Sequence, residues 1–517
     1  MKILLLSMPD SFEHTATVAM RMPNGALGSL AGNVDPHHEV ALADLVLVQR
    51  SVRETVEGLL RDFQPDVVGL SIMTFQRTTA RKIVTLVRNV QPAARIVVGG
   101  YDPSLASTIY EQPDWDVDVI VRGEGDVTFR ELLRAWEAGA EPRRVAGLSY
   151  RTSAGFVRTA DRAPSHLGPD EIRPPRRAAR VLQGYTFIGR PIDVVETSRG
   201  CTYDCSFCSI IEMRGRNFYK WPIERVVADI MDARRRGARA IFLVDDNITL
   251  DVKRFEALCR AIVAAGLGDI DYIVQAMTSS IAAAGGTLAP LMRQAGFRYV
   301  FLGIENVLEA DLQFLRARAK NAQRGASARE NATQAAIDVL HRNGMYVVGG
   351  LIVGNPNDTR EAIEANLEYA RRHIDWPYIQ HPTPYPGTPM TADFRARGLI
   401  VNENVDEYDG TTAVVRSEHL AAKEIEFMRW RAERWMKLRH LWPTLRHNPM
   451  FVLRHGPGML RHTFRGSSLR SMLGIESESQ VFERYRRIRA AERDYLPSIP
   501  VSETPMAAAG HHPALSS

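Results

Sequence analysis

Short apolar runs separated by amphipathic stretches fill the first 150 residues. Two of the amphipathic stretches, residues 52–63 and 78–90, have the 3.6-residue periodicity of helices that cover a core. The apolar runs predict buried parallel strands at residues 2–6, 40–47, 67–72, 95–98 and 117–121. This alternation predicts an open, doubly wound α/β sheet of the Rossmann-like kind, which binds ligands outside the carboxyl ends of its strands.

Three of the predicted strands end in loops of small or hydroxyl-bearing residues. Ser71 and Thr74 follow one strand, Gly99, Gly100 and Tyr101 follow the next, and Gly123, Glu124 and Gly125 follow the last. Paired glycines allow a ligand to approach the backbone closely. The G-x-G-x-x-G fingerprint is missing, which argues against NAD or FAD.

A second strand-and-helix series follows a segment rich in proline and arginine at 152–190, which predicts a linker. Its strands are predicted at residues 191–196, 240–244, 272–275, 299–302, 345–353 and 378–380. Six units are fewer than the eight that close a TIM barrel, so we expect a partial (β/α)6 barrel over residues 191–400. Residues 1–151 form the first predicted domain.

Three cysteines stand close together just after the first strand of this second series. Cys201, Cys205 and Cys208 have the spacing C-x3-C-x2-C. A cubane iron–sulfur cluster has four irons, so three local thiolates leave one iron open. The alternative is structural zinc, which normally needs four Cys or His ligands in two separated pairs. The remaining cysteine, Cys259, lies in an apolar helical pattern and is predicted to be a core residue.

The cysteine motif, with Phe207 before its last cysteine, resembles the radical S-adenosylmethionine (SAM) superfamily. That resemblance implies a [4Fe-4S] cluster held by the three cysteines, with SAM completing the open iron. It also implies that SAM is contacted by residues at the strand ends and near the cluster: Phe207, Arg216, Asp245, Gln275, Glu305 and Gly354. Among these, Arg216 is expected to pair with the SAM carboxylate, Glu305 with ribose or amino groups, and Gly354 with adenine.

The loops of the first domain, placed ahead of this motif, resemble the cobalamin-binding domain of cobalamin-dependent radical SAM enzymes. The resemblance implies that cobalamin is held by Ser71, Thr74, Gly99, Gly100, Tyr101, Gly123, Glu124 and Gly125. The cobalt-binding pattern D-x-H-x-x-G is incomplete, because Asp35-Pro36-His37-His38 lacks the glycine. His38 is expected simply to lead into the second strand.

The resemblance implies a methyltransferase that methylates an unactivated carbon of a secondary metabolite, lipid or tetrapyrrole. One alternative is oxidative ring closure without methyl transfer, as in the anaerobic magnesium-protoporphyrin ester cyclases. Another, from a different class, is a cobalamin-binding sensor with an inert barrel. No catalytic side chain is assigned from the sequence.

Composition and cysteine content indicate the class of protein and the compartment in which it is expected. The chain has 517 residues, of which 45% are hydrophobic and 24% charged, as in an ordinary globular protein. Four cysteines, three of them grouped, favour a reducing compartment, so a cytoplasmic location is expected. The expected partners are a small, hydrophobic substrate and an electron donor such as flavodoxin or ferredoxin. Nucleic acid is not expected, because no recognised binding module is present.

Arginine and aromatic residues become dense after about residue 428, within a predicted helical domain at 401–500. Basic amphipathic helices often pack against their own domain, and they can also lie on an anionic membrane surface. Both interpretations stay open for this region. Residues 501–517 are small and polar and predict a disordered tail.

Overall fold

The structure is a computed structural model that describes residues 1–11, 19–168, 170–321, 332–439, 445 and 449–500. Two large sheets organise it, and parallel strands predominate in both. This confirms the predicted α/β class. The predicted tail at 501–517 lies outside the described residues.

The first sheet has seven strands in the order β3-β1-β4-β5-β6-β7-β8. The first five of these strands are parallel, and β7 and β8 form an antiparallel hairpin on the β6 edge. The strands are β1 (Lys2–Ser7), β3 (Glu39–Asp44), β4 (Val67–Ser71), β5 (Arg95–Gly99), β6 (Val119–Val121), β7 (Leu148–Thr152) and β8 (Gly155–Arg158).

Two local predictions in this domain differ from the structure. The strand predicted at 40–47 ends at Asp44, and Leu45–Val48 form a 3-10 turn, because an apolar run alone does not distinguish a strand from a buried turn. Strand β8 lies inside the segment predicted to be a linker. Its side chains are largely exposed, so it carries little apolar signal.

The second sheet has the order β17-β16-β15-β14-β13-β10-β9-β2. Six parallel strands make the expected open half-barrel, and β9 and β2 extend its edge in antiparallel pairing. The strands are β2 (Met20–Arg21), β9 (Thr186–Phe187), β10 (Arg190–Val195), β13 (Ala240–Leu243), β14 (Asp271–Met277), β15 (Phe297–Glu305), β16 (Tyr346–Ile352) and β17 (Trp376–Gln380). A separate two-stranded ribbon pairs β11 (Ser198–Arg199) with β12 (Tyr219–Lys220).

Helices connect and cover the strands. In the first domain they are α1 (Gly25–Asn33), α2 (Val52–Phe63), α3 (Arg77–Val90), α4 (Tyr101–Leu105), α5 (Ser107–Tyr110) and α6 (Gly125–Glu137). In the half-barrel they are α7 (Ser209–Arg214), α8 (Ile223–Arg235), α9 (Val252–Ala264), α10 (Thr278–Gln294), α11 (Glu309–Phe314), α12 (Arg318–Asn321), α13 (Ala332–Arg342), α14 (Arg360–His373) and α15 (Pro389–Ala396). The C-terminal helices are α16 (Ala422–Arg439), α17 (Pro449–Thr463), α18 (Leu469–Met472) and α19 (Glu478–Glu492).

Strand β1 shows why the first sheet is doubly wound. Its side chains alternate between two cores, with Leu4 and Leu6 packed toward α2 and α3, and Ile3 and Leu5 packed toward α1 and α6. All four side chains are buried because parallel strands with helices on both faces have no solvent side. The carboxyl ends of the strands remain free of helices, and they carry the loops of the candidate site.

The alternation of strands and helices ends after β17, as predicted. Helices α16 and α19 pack together through Trp430, Phe482 and Tyr485. Arg489 of α19 is buried and donates to Asp409 at 2.7 Å. Part of the arginine-rich region therefore forms an ordinary domain interface. None of the described helices is both long and apolar enough to cross a bilayer.

Candidate active site between the two sheets

The cysteine loop runs from β11 to α7 and is fixed at both ends. Gly200, which precedes the first cysteine, has φ +91°, and a Cβ there would collide with Asn217. Its amide donates to Asp246 Oδ2 at 2.8 Å. In the middle of the loop, the Ser206 amide donates to the Leu315 carbonyl at 3.0 Å, and the Ser206 carbonyl accepts from the Met390 amide at 2.9 Å. The half-barrel therefore presents the three cysteines from a rigid loop.

Two thiols of this loop, those of Cys205 and Cys208, lie in surroundings that keep them protonated unless a metal binds. Burial raises the pKa of Cys205 to about 12 and that of Cys208 to about 11. Metal ligation requires the thiolate, so a bound cluster would have to displace these protons. All four cysteines are free, and Cys259 is fully buried in α9, as expected of a core residue.

The spacing of donor atoms argues against a single metal ion at the cysteines. Among the described residues, the only trio of metal-ligating side chains with all donor atoms within 4.8 Å is His37, His38 and Glu137. A tetrahedral zinc ion with Zn–S bonds near 2.3 Å would hold its sulfurs about 3.8 Å apart. The three cysteines therefore fit a larger cluster better than one zinc ion.

The group of His37, His38 and Glu137 lies at the edge of the first sheet opposite to the predicted cobalamin loops. His37 and His38 precede β3, at its amino end, whereas the predicted ligand loops follow the carboxyl ends. The N-terminal ammonium group of Met1 donates to His38 Nδ1 at 3.0 Å. His38 therefore enters the strand with a structural partner, in agreement with the sequence.

Asp245 and Asp246 follow β13 but serve different purposes. Asp245 is buried, and its carboxylate accepts from the Thr197 amide at 2.6 Å and from the hydroxyls of Thr197 and Ser198 at 2.5 Å. Burial raises its pKa to about 6. Through these bonds Asp245 stabilises the start of β11, the strand that leads into the cysteine loop. Its neighbour Asp246 holds Gly200 and faces the cavity described below.

Glu305 ends β15 with an uncommon backbone conformation, φ +62°. Its carboxylate accepts from Lys320 Nζ at 2.6 Å, and both side chains are largely buried. A Cβ at Gly303 would lie 2.7 Å from Glu305 Oε1 and 3.2 Å from Lys320 Nζ, so a larger residue there would make both side-chain ends shift. The predicted SAM contact Glu305 thus has a cationic partner beside the cysteine loop.

The other predicted SAM contacts lie on different parts of the barrel mouth. Phe207 packs between two small clusters that include Phe314 and Tyr385. Gly354, two residues after β16, has φ +102°, and its amide donates to Asp358 Oδ2 at 2.7 Å. Gln275 is half-buried in β14, whereas Arg216 is more than half exposed and pairs with Asp204 at 3.0 Å. SAM contact by these residues stays a prediction.

A cavity of about 380 Å³ opens between the carboxyl edge of the first sheet and the cysteine side of the half-barrel. All but one of the predicted cobalamin residues line it, namely Ser71, Gly99, Gly100, Tyr101, Gly123, Glu124 and Gly125. The exception is Thr74, whose hydroxyl donates to the buried Asp102 at 2.8 Å. From the half-barrel, Met213, Arg214 and Asp246 line the same cavity.

Glycines shape the wall of this cavity. Gly100 has φ +108°, and a Cβ there would lie 2.8 Å from the Ile72 carbonyl oxygen. Gly123 has φ +78° with no heavy atom within 4 Å of its Cβ position. Because glycine has no side chain, a broad ring could approach the backbone at these two positions. This part of the wall therefore fits a corrin. No histidine is among the residues that line the cavity in the described chain.

Buried charges tie the two domains together beside the cavity. Arg199, two residues before Cys201, donates to Asp126 in the first turn of α6 at 2.6 Å. The same guanidinium donates to Glu196 at 2.8 Å, and Ser29 of α1 lies 3.4 Å away. The cysteine strand is therefore anchored directly to the loop that carries Gly123 and Gly125.

Two family models match the chain at these two regions. The B12 binding domain model matches residues 15–133, and the radical SAM superfamily model matches residues 195–370. The chain therefore carries a B12 binding domain followed by a radical SAM domain, which is the domain combination of cobalamin-dependent radical SAM enzymes. Its cofactors are accordingly cobalamin, SAM and an iron–sulfur cluster, and the cysteine loop and glycine-walled cavity fit the cluster and cobalamin respectively.

Characterised and uncharacterised proteins resemble this radical SAM enzyme over most of its length. An uncharacterized methyltransferase of Pyrococcus horikoshii is 29% identical over 431 residues, which are 82% of this chain and 90% of that protein. The anaerobic magnesium-protoporphyrin IX monomethyl ester cyclase of Cereibacter sphaeroides is 27% identical over 409 residues, 76% of this chain and 63% of that protein. The solved structure of the radical SAM methyltransferase TsrM from Kitasatospora setae has the same fold, with a TM-score of 0.60 at 20% identity over 77% of this chain and 76% of that one.

Several residues at the site of this radical SAM enzyme were not predicted from the sequence. Lys320, Arg214 and Arg199 are buried or half-buried cations near the cysteines, and no sequence signal distinguished them from the other arginines and lysines of the chain. Arg214 lies 3.7 Å from Glu124 and 3.9 Å from Asp246, which joins the cobalamin loop to the cysteine side. Asp246 was not predicted either. Its position after a barrel strand is typical of a residue that contacts a ligand, but Asp245 has the same position and was chosen instead.

Proposed function

We propose that the enzyme methylates an unactivated carbon of a small hydrophobic molecule. The observation that carries this proposal is the shared cavity, because the first-domain loops and the cysteine side of the half-barrel face the same space. When bound, SAM and the cluster supply a radical that removes hydrogen from carbon, and cobalamin supplies a methyl group. Because Met213, Arg214 and Asp246 line the cavity and flank the cysteine loop, cobalamin bound there would lie beside the part of the half-barrel that carries the three cysteines.

The side chains around the cavity favour orientation over acid–base chemistry. Burial raises the pKa of Tyr101 well above its usual range, so its phenol stays protonated and can donate a hydrogen bond. Arg214 is held between Glu124 and Asp246 and adds a fixed positive charge. Such groups position a substrate and exclude water, while the hydrogen is removed by the radical.

The second candidate is oxidative cyclisation, which is favoured by the identity shared with the cyclase of Cereibacter sphaeroides. Anaerobic turnover with methyl-deuterated SAM separates the two. Methylation predicts a labelled methyl group in the product, with S-adenosylhomocysteine and 5′-deoxyadenosine both released. Cyclisation predicts 5′-deoxyadenosine without transfer of label, and release of neither nucleoside would refute both candidates.

An external electron donor is part of this proposal. Reductive cleavage of SAM consumes one electron, and we expect a small donor such as flavodoxin or ferredoxin to supply it. Free thiols at three cluster positions persist in a reducing compartment, which supports a cytoplasmic site of action. Omission of the donor should abolish formation of 5′-deoxyadenosine, and dithionite should restore it.

We also propose that α17 and α18 contact an anionic membrane surface. Large apolar side chains are exposed on α17 and at α18, with Met450, Leu453, Leu469 and Leu473 each at least two-thirds exposed. Between residues 449 and 475 the chain has four arginines and no carboxylate. Apolar side chains beside positive charge are what binding to the interface of an anionic bilayer requires, and such binding would suit a lipid-soluble substrate.

A further inference from the structure

A group of three metal-ligating side chains lies at the amino end of β3, and the proposed function does not use it. The group consists of His37, His38 and Glu137, and one donor atom from each lies within 4.8 Å of the other two. Glu137 is the last residue of α6, and the two histidines come just before β3. The group therefore joins two elements of the first domain that are distant in sequence.

His38 is the buried member of the group, and one of its ring nitrogens faces Glu137. The His38 side chain has no exposed surface, and its Nε2 atom lies 3.5 Å from Glu137 Oε2. Among the described residues this buried Nε2 has no hydrogen-bond partner. The other ring nitrogen, Nδ1, contacts the Met1 amino group at 3.0 Å. Because buried polar atoms normally have a partner, Nε2 lies where a bound group would be expected.

His37 and Glu137 form the solvent side of the group. His37 Nε2 lies 2.7 Å from Glu137 Oε1, and 60% of the His37 side chain is exposed. A tetrahedral zinc ion keeps nitrogen and oxygen ligands about 3.3 Å apart. The contacts of 2.7 Å and 3.5 Å are close to that spacing, and the exposed His37 can turn to accommodate an ion. Water can reach the same side as a fourth ligand.

The backbone that carries the two histidines is held in place before any ion binds. The His38 amide donates to the Asp35 carbonyl at 3.0 Å, and the Glu39 amide donates to the Met1 carbonyl at 3.1 Å. The Asp35 carboxylate accepts from Arg134 Nε of α6 at 2.6 Å. The last turns of α6 therefore already contact this segment, so an ion would bind between parts that need little further ordering.

We propose that His37, His38 and Glu137 bind a Zn²⁺ ion, with water completing the coordination, and that the ion fixes the end of α6 to the start of β3. Two imidazoles and a carboxylate are a recurrent ligand set for zinc. Coordination through His38 Nε2 places the ring proton on Nδ1, where the Met1 amino nitrogen accepts it after releasing one of its own protons. The site is independent of radical chemistry and of methyl transfer.

The first test measures zinc binding to the cluster-loaded enzyme, purified anaerobically and without an affinity tag. After equilibrium dialysis, zinc and iron are counted separately by mass spectrometry, and one zinc per chain is expected. His37→Gln and Glu137→Gln should each raise the Kd for zinc about tenfold or more, because losing a ligand costs at least as much as losing a group that orients one. Absent binding, or an unchanged Kd in these variants, would overturn the site.

A second histidine pair in the sequence provides the matched control. His511 and His512 lie outside the described residues, and replacing both with Gln should leave zinc binding as in wild type. Loss of the zinc in this double variant would place the ion elsewhere and overturn the assignment.

The second test identifies the ligands and the effect on α6. Zinc X-ray absorption should show nitrogen and oxygen at about 2.0–2.1 Å, whereas sulfur at about 2.3 Å would place the ion at the cysteines and refute the site. Zinc should also slow hydrogen exchange of the amides in the last turn of α6 in wild type but not in Glu137→Gln. Unchanged exchange with zinc bound would refute the fixing of α6.

Discussion

Arg199 and Asp126 join the two domains through a buried ion pair whose Nη1–Oδ2 distance is 2.6 Å. Arg199 leads into the cysteine loop, and Asp126 follows Gly125 at the start of α6. The pair therefore fixes the distance between the cluster loop and the cobalamin loop. Because the pair is buried, removal of either partner would leave the other charge uncompensated.

Asp126→Asn should consequently lower the free energy of unfolding by about 3 kcal/mol, the usual cost of breaking a buried ion pair. Chemical denaturation of the apoprotein measures this effect. Glu57→Gln is the control, because Glu57 pairs with Arg53 and Arg61 on the surface of α2, where an ion pair contributes much less to stability. Similar losses in both variants would contradict a special role for the interdomain pair.

A second prediction separates the cluster cysteines from the structural one. Cys205→Ala should abolish iron loading and reductive cleavage of SAM, because the loop then offers only two thiolates. Cys259→Ala should retain both, and it should lose about 1 kcal/mol of stability from the small cavity left in the core. Iron and sulfide content and release of 5′-deoxyadenosine are the measurements. Full iron loading in Cys205→Ala would exclude the cluster assignment.

The third prediction concerns the glycine wall of the cavity. Gly100→Ala should reduce cobalamin binding at least tenfold, since the new methyl group would press on the Ile72 carbonyl and displace the β5–α4 loop. Gly139→Ala is the control, because Gly139 also has positive φ but an open Cβ position away from the cavity. Cobalamin content is read from its visible absorbance. Equal binding in the two variants would show that backbone strain, and not the cavity wall, explains any loss.

Sequence reasoning located both domains because their signals are local. Parallel strands appear as apolar runs, and the cysteine spacing is a motif in itself, so Cys201, Cys205 and Cys208 could be named directly. Lys320 and Arg199 could not be predicted in this way, because their importance comes from contacts between elements that are far apart in sequence. Asp245 illustrates the same limit, since its position after a strand suits a ligand contact but three hydrogen bonds make it a support.

A fourth prediction follows from two carboxyl groups near the Gly354 turn. Asp358 Oδ2 accepts from the amides of Gly354 and Asn355 at 2.7 and 2.9 Å. Burial, together with the neighbouring Asp358 charge, raises the pKa of Asp311 to about 7. The folded protein thus holds a proton that the unfolded chain loses above its ordinary pKa of about 4. Stability from this pair is complete below pH 4 and declines as the pH rises toward 7.

Asp311→Asn keeps a donor toward Asp358 at every pH and should remove this decline. The variant should therefore be more stable relative to wild type at pH 8 than at pH 5, by an amount on the order of 1–2 kcal/mol. Denaturant unfolding at the two pH values measures the difference. Asp269→Asn is the matched control, because the Asp269 carboxylate pairs on the surface with Arg234 at 2.8 Å, and a guanidinium stays charged at both pH values. A constant difference between Asp311→Asn and wild type would rule out the shared proton.

The last prediction addresses the exposed face of α17 and α18. At low salt the protein should float with vesicles that contain phosphatidylglycerol but not with pure phosphatidylcholine, because arginines supply the initial attraction and leucines then insert. The double substitution Leu453→Asp and Leu473→Asp should leave the protein at the bottom of the gradient. Met231→Asp should float like wild type, since Met231 is also exposed, although less so, and lies on α8 of the half-barrel. Wild-type protein that stays at the bottom with anionic vesicles would refute membrane contact, and loss of flotation in Met231→Asp would show that added charge alone prevents it.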